Sequence, residues 1–225
     1  MAESAQELQR IYRQRFARTA NYRSRVWKVL TEAFFHRWIP AEATVLDLGC
    51  GYGEFINQVK AQKKIAMDLN LDAPRHLQAG VQFLHQDCSQ PWPLPENSLD
   101  VVFTSNFFEH LPDKECLKQT LRQAYRCLKP GGRLLAMGPN IKFLPGQYWD
   151  FFDHHTMLTE ASLAEVLELV GYRVEQATPR FLPYTLVNGP EYPLFFVRVY
   201  LALPWLWWLK GRQFLVVAAK KSAAT

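Results

Sequence analysis

Three glycines at alternate positions, Gly49, Gly51 and Gly53 in LDLGCGYGEF (46–55), have a spacing that implies chemistry. Glycine is used where a turn is tight or a ligand must approach the main chain. A dinucleotide-binding turn reads G-x-G-x-x-G. Counted from Gly49, its third glycine would fall at 54, where Glu54 stands instead. No Gly-Lys-Ser/Thr follows, so a phosphate-gripping P-loop is excluded. Asp68 lies 19 residues beyond Gly49, the place from which an acid takes the hydroxyls of a ribose. The pattern predicts a ligand that carries a ribose but meets an altered pyrophosphate turn.

Two further stretches hold groups able to move a proton. One is FFEHLP, with His110; the other is YWDFFDHHTMLT (148–159), with Tyr148, Asp153, His154 and His155. Adjacent histidines rarely chelate one ion and no third ligand spacing is visible, so no metal is expected. Cys50, Cys88, Cys116 and Cys127 form no C-x-x-C pair and no zinc-finger spacing. They read as free thiols and small fillers in a reducing, cytoplasmic setting. The N-terminus, MAESAQELQR, has no apolar signal core.

The elements that must position these groups alternate along the chain. Apolar runs at 43–48, 64–69, 81–85, 99–105, 133–138, 172–178 and 213–220 read as strands. A helix is expected from about Gly53. Another opens at Asp113, with Leu117, Leu121, Ala124, Tyr125 and Leu128 on one face, and stops at KPGG (129–132). A third is capped by Thr159 and ended by Gly171. This alternation predicts βαβ units and a mostly parallel sheet covered on both faces, an α/β fold. Before it, residues 6–38 show helical spacing: Leu8, Ile11, Tyr12 and Phe16 form one stripe, and Val26, Val29, Leu30, Ala33, Phe34 and Trp38 another.

VLDLGCGYGEF resembles the first motif of class I S-adenosylmethionine-dependent methyltransferases. LHQDCSQPWPLPENSLDVVFTSNFFEHLPD (84–113) resembles the next two motifs, and LRQAYRCLKPGGRLLAMGPN (121–140) the helix, turn and fifth strand that follow. The likeness covers roughly 43–178 and the final strand. It implies a Rossmann-like three-layer sandwich with a seven-stranded sheet whose last strand is antiparallel. Residues 1–40 would be an N-terminal helical cap, and 41–225 the cofactor domain with an insert at 188–212. It implies S-adenosylmethionine as cofactor, with Asp47, Gly49, Gly51, Gly53 and Asn106 at its methionine end. Asp68 and Leu69 would then meet the ribose side, and Asp87 and Cys88 the adenine. His154 and His155, after the fifth strand where acceptors approach, are the candidate catalytic residues.

The acceptor is narrowed by what is missing. TSNFFEH lacks the Asn/Asp-Pro-Pro-aromatic sequence of enzymes that methylate nucleobase amines, and no RNA-binding module is seen. The expectation is transfer to oxygen on a small-molecule or lipid-linked acceptor, and nucleic acid is argued against. The alternatives are an RNA methyltransferase using the basic N-terminus, and a non-catalytic cofactor-binding protein acting through its insert.

That insert, NGPEYPLFFVRVYLALPWLWWLKGR (188–212), is apolar from 192 to 209 with one charge, Arg198. A central arginine costs about 2.5–3.5 kcal/mol in a bilayer, which argues against a span. A lid over an apolar acceptor, a homodimer contact or a helix lying on the inner membrane face fits better, with Trp205, Trp207 and Trp208 as an interfacial belt. The formal charge of the chain is +5, and residues 1–40 hold eight Lys/Arg against three Glu, which leaves the remainder balanced. The basic segment would reinforce attraction to anionic lipid.

Overall fold

In the computed structural model, which describes residues 19–184 and 191–222, seven strands form one sheet in the order β3-β2-β1-β4-β5-β7-β6. The strands are β1 (Thr44–Leu48), β2 (Lys63–Asp68), β3 (Val81–His85), β4 (Leu99–Ser105), β5 (Leu128–Pro139), β6 (Tyr172–Thr178) and β7 (Gln213–Lys220). The first five pair in parallel. β7 runs antiparallel to both β5 and β6. The expected fold class is the one observed. The first helical stripe, Leu8 to Phe16, lies outside the described residues.

The period-2 alternation of side chains divides the core between two faces. Val45, Val101, Phe103, Leu215 and Val217 point into one cluster. Leu46, Leu48, Val102, Phe214, Val216 and Ala218 point into the other. Burial on both faces accounts for the continuous apolar runs that mark these strands.

The second cluster is closed by two helices. Helix α2 (Lys114–Cys127) contributes Leu117, Leu121 and Ala124, and α3 (Glu160–Val170) contributes Leu163 and Leu167. Their ends are set as the sequence predicts, except that α2 stops at Cys127, so Leu128 and the expected KPGG turn belong to β5. The Asp113 carboxylate accepts from the Cys116 N–H, Thr159 and Ser162 form a capping box, and Gly171 takes φ 117° as a left-handed stop.

The first cluster is closed by helix α1 (Ala20–Ala33), which inserts Tyr22, Val26, Val29 and Leu30. A 3-10 turn, Phe35–Trp38, follows it. The helix expected from Gly53 is replaced by successive turns. Asn57 and Val59 donate to Gly53 and Phe55 in helical fashion, but Gln58 donates to Phe55 as a tighter turn. Gly53 is left-handed at φ 74°, and β2 begins at Lys63, so no regular helix develops in between.

The apolar insert is broken as well. Leu194–Ala202 forms α4 and Pro204–Lys210 forms α5. Pro204 cannot continue the first helix and starts the second. Among the described residues no helix is long and apolar enough to cross a membrane. The insert is fastened to α1: Tyr22 Oη donates to the Tyr192 carbonyl at 3.1 Å, Arg198 pairs with Glu32 at 3.5 Å, and Trp207 packs against Phe34. Arg198 therefore spends its charge on α1.

Candidate cofactor and acceptor site

The glycine turn leaves β1 in the middle of the sheet, next to the point where strand order reverses, and this is where open α/β sheets bind ligands. Gly49, Gly51 and Gly53 all have left-handed φ, at 70°, 53° and 74°. A Cβ on Gly49 would come within 2.3 Å of the Phe107 ring, so both the dihedral and the space demand glycine there. The Gly49 and Cys50 N–H groups donate to the Met67 carbonyl at 2.9 and 3.1 Å. Glu54, in place of the dinucleotide motif's third glycine, pairs with Arg23 of α1 at 2.8 Å. The N-terminal helix is thereby tied to the turn.

Asp68 ends β2 beside it. One carboxylate oxygen accepts the Gly51 N–H and the other the Asn70 N–H, both at 2.8 Å. Burial pushes its pKa above the usual carboxylate value, and these backbone N–H bonds hold it back. Each oxygen keeps lone-pair capacity for one more donor. Leu69 is exposed at the rim. Asp47 is buried, its Oδ2 has no hydrogen-bond partner, and burial followed by the Glu54 charge raises its pKa well above the ordinary value. Asn70, which the sequence patterns did not single out, is fully buried with an unpartnered Nδ2.

Asp87 and Cys88 follow β3. Asp87 accepts from the Ser89 N–H and Oγ. Cys88 turns its thiol inward to accept from Thr120, and burial pushes that thiol up to about 12, so it is inert as a nucleophile. Asn106 follows β4 at φ 49°, a left-handed conformation in a non-glycine residue that tends to mark functional sites. All the sequence-predicted cofactor residues thus stand at the carboxyl edge of β1–β4.

The candidate catalytic residues lie after β4 and β5. A 3-10 turn, Phe108–His110, presents Glu109 and His110. The Glu109 carbonyl accepts the N–H groups of His155 and Thr156 at 2.8 and 3.0 Å. That bond pair draws the two predicted histidines to this turn and then separates them. The His154 ring is buried 5.0 Å from the His110 ring, while the His155 side chain is exposed. His110 Nδ1 lies 3.0 Å from the Asp153 carbonyl and 3.2 Å from its carboxylate. Burial lowers the His110 pKa, but the Asp153 bond and the Glu109 charge outweigh it and leave it raised. Burial pushes the Glu109 carboxyl up to about 7, although the His110 charge opposes the shift. Glu109, which the sequence patterns did not single out, is buried beside both histidine rings.

A family model described as a methyltransferase domain matches residues 16–177. The chain belongs to this methyltransferase family. It is 35% identical over 162 residues to a Mycolicibacterium smegmatis protein named "Probable S-adenosylmethionine-dependent methyltransferase", a match covering 69% of the chain and 61% of that relative. The chain therefore spans less than two thirds of that protein. It is 34% identical over 96 residues to a Yersinia pestis malonyl-[acyl-carrier protein] O-methyltransferase, covering 40% of the chain and 34% of the relative. A SAM-dependent methyltransferase from Archaeoglobus fulgidus superposes with a TM-score of 0.66 at 22% identity, over 91% of this chain and 99% of that one, and shows the same fold. The cofactor is S-adenosylmethionine. Its fit to this chain rests on the unpartnered Asp47 Oδ2, the spare acceptor capacity of Asp68, the orphaned Asn70 amide and a turn with no room for a Cβ at Gly49.

Proposed function

We propose that the protein methylates an oxygen of a small-molecule or lipid-linked acceptor at the inner face of a membrane. Gly49, Gly51, Gly53, Asp47 and Asn106 would hold the methionine end of the cofactor, Asp68 and Leu69 the ribose side, and Asp87 and the Cys88 backbone the adenine. When bound, S-adenosylmethionine supplies a methyl group already activated on sulfur. The task left to the protein is alignment, which can contribute up to about 7–11 kcal/mol. His154, held next to Glu109 and His110, takes the acceptor proton. The exposed His155 meets the acceptor's polar end.

One observation supports an apolar or lipid-linked acceptor: the exposed aromatics gather on the segment that carries His154 and on the insert beside it. Trp149 and Phe152, the latter 90% exposed, shortly precede His154 in sequence, while Phe195, Phe196, Trp205 and Trp208 stand out from α4 and α5. Arg180 joins the two regions. It lies 3.9 Å over the Phe143 ring and donates to the Trp208 carbonyl. Aromatic rings with basic neighbours suit headgroup depth, and the Yersinia pestis relative's named acceptor is a carrier-bound acyl group.

The test is to incubate the protein with S-adenosylmethionine and an extract of cell lipids and metabolites, then search by mass for the gain of one methylene. His154→Gln should slow turnover by roughly 10²–10⁴-fold with cofactor affinity unchanged, and His155→Gln should mainly raise KM. A nucleic-acid product, or no methylated product while cofactor binds, would overturn the reading.

A further inference from the structure

We propose that Glu109, His110 and His154 form a binding site for one divalent first-row metal ion on the acceptor side. One ligand-capable atom from each residue lies within 4.8 Å of the other two. Metal bonds of about 2.0–2.2 Å put tetrahedral ligands roughly 3.4 Å apart, so side-chain movements on the order of 1 Å close the site. Glu109 and His154 are both more than nine-tenths buried. Among the described residues, a hydrogen bond from its own main chain and the neighbouring His110 act on the Glu109 carboxylate. A buried carboxylate facing two imidazoles is a donor set that a cation completes.

Sequence neighbours rarely chelate one ion, and Glu109 and His110 are neighbours. Here the 3-10 turn offers both side chains, and the third ligand arrives from a segment 44 residues away in the sequence, after β5. That segment is pinned in place. The Glu109 carbonyl holds the His155 and Thr156 N–H groups, Thr156 Oγ1 donates to Leu111, and the buried Tyr148 Oη donates to Thr156.

The surroundings supply an outer shell too. His110 Nδ1 faces two acceptors of Asp153, its carbonyl and its carboxylate, so the proton belongs on Nδ1 and the Nε2 lone pair is free to ligate. A carboxylate behind a ligating imidazole is the usual orienting partner of a metal-bound histidine. Gly138 matters as well, because a Cβ there would crowd a Glu109 carboxylate oxygen at 3.3 Å.

Two imidazoles and one carboxylate suit a zinc-like ion, and three protein ligands leave positions open for substrate. A hydroxyl bound there would release its proton to water more readily. His154 would hold the ion in the metal-loaded chain, so the proton-accepting role given to it above belongs to the metal-free chain. The consequence for the acceptor rests on the function proposed above; the binding site rests on geometry alone.

The experiment uses the tag-free, chelator-stripped full chain titrated with Zn²⁺ and, separately, Mn²⁺ by calorimetry. One ion per chain is expected. Asp153→Asn should weaken it by about 10–100-fold, and Glu109→Gln or His154→Gln by more. The exposed His36→Gln should bind as the parent does. Co²⁺ loading of the unmodified chain gives a second readout if a variant misfolds: a nitrogen-ligated ion of low coordination absorbs strongly in the visible. No stoichiometric ion, a hexaaqua-like Co²⁺ spectrum, or folded Glu109→Gln and His154→Gln proteins that bind like the parent would overturn the site. S-adenosylmethionine titrated into the metal-free chain keeps the two proposals separate. Loss of cofactor binding refutes the function and not the metal site, and a metal failure with cofactor bound does the reverse.

Discussion

Asp68 braces the glycine turn and is proposed to bind the cofactor ribose, and replacing it separates the two roles. Its carboxylate holds the Gly51 and Asn70 N–H groups at 2.8 Å each, and the same oxygens are proposed to accept the ribose hydroxyls. In Asp68→Ala both amides lose a charged acceptor, and Asn70 is fully buried. Hydrogen bonds to charged groups contribute about 1.5–3 kcal/mol each. Relief of the burial that raises the Asp68 pKa offsets part of that. A net loss of about 2–4 kcal/mol corresponds to a fall in Tm of roughly 4–16 °C for a chain of this size. Asp68→Asn keeps the shape and one acceptor, so its stability should fall between the two. It turns an amide towards a donor, so S-adenosylmethionine affinity should drop about 10–150-fold. Calorimetry well below the variant's Tm, with circular dichroism to confirm folding, reads the binding. Asp100→Asn is the control. Asp100 pairs with Lys129 and the Thr44 N–H at the opposite end of β1, so that variant should lose stability and keep its affinity. A folded Asp68→Asn protein that binds as the parent does would refute the assignment.

Gly49→Ala should abolish cofactor binding and lower Tm, since it adds left-handed strain of about 1–2 kcal/mol to a clash with Phe107; adding Phe107→Ala should recover part of the Tm, and no recovery would show that the clash is not the cause. Trp205→Ala with Trp208→Ala should weaken sedimentation with anionic vesicles and leave Tm within about 2 °C, because both rings are exposed. Trp207→Ala should lower Tm, since that ring packs on Phe34 and Phe181 and donates to the Tyr200 carbonyl; equal effects of all three would refute the division. In native protein at pH 7.5, iodoacetamide should reach the half-buried Cys116 first and spare Cys50, Cys88 and Cys127, read by peptide mass; rapid labelling of Cys88 would contradict its burial.

The central strands were legible because a sheet buried on both faces requires nearly continuous apolar runs, as in 44–48 and 213–220, while the edge strands 81–85 and 172–178 showed only alternation of buried and exposed positions. The turn after β1 was legible because Gly49 and Gly51 take left-handed main-chain conformations and the Asp68 carboxylate holds main-chain N–H groups, where residue type and spacing leave few alternatives. The acceptor side was much less so. His154 and His155 are indistinguishable as a dipeptide, and only the pull of the Glu109 carbonyl on the following N–H groups buries one ring and exposes the other. Glu109 read as one more loop acid, because nothing in FFEHLP announces that β5 and a later loop will cover it. Arg198 looked like a stray charge in an apolar run, and its partner Glu32 is 166 residues away. Local rules describe groups whose role is set by neighbours in the chain. A buried carboxylate beside two imidazoles is created only when the Phe108–His110 turn meets a segment 44 residues further on, so this cluster had to come from the fold.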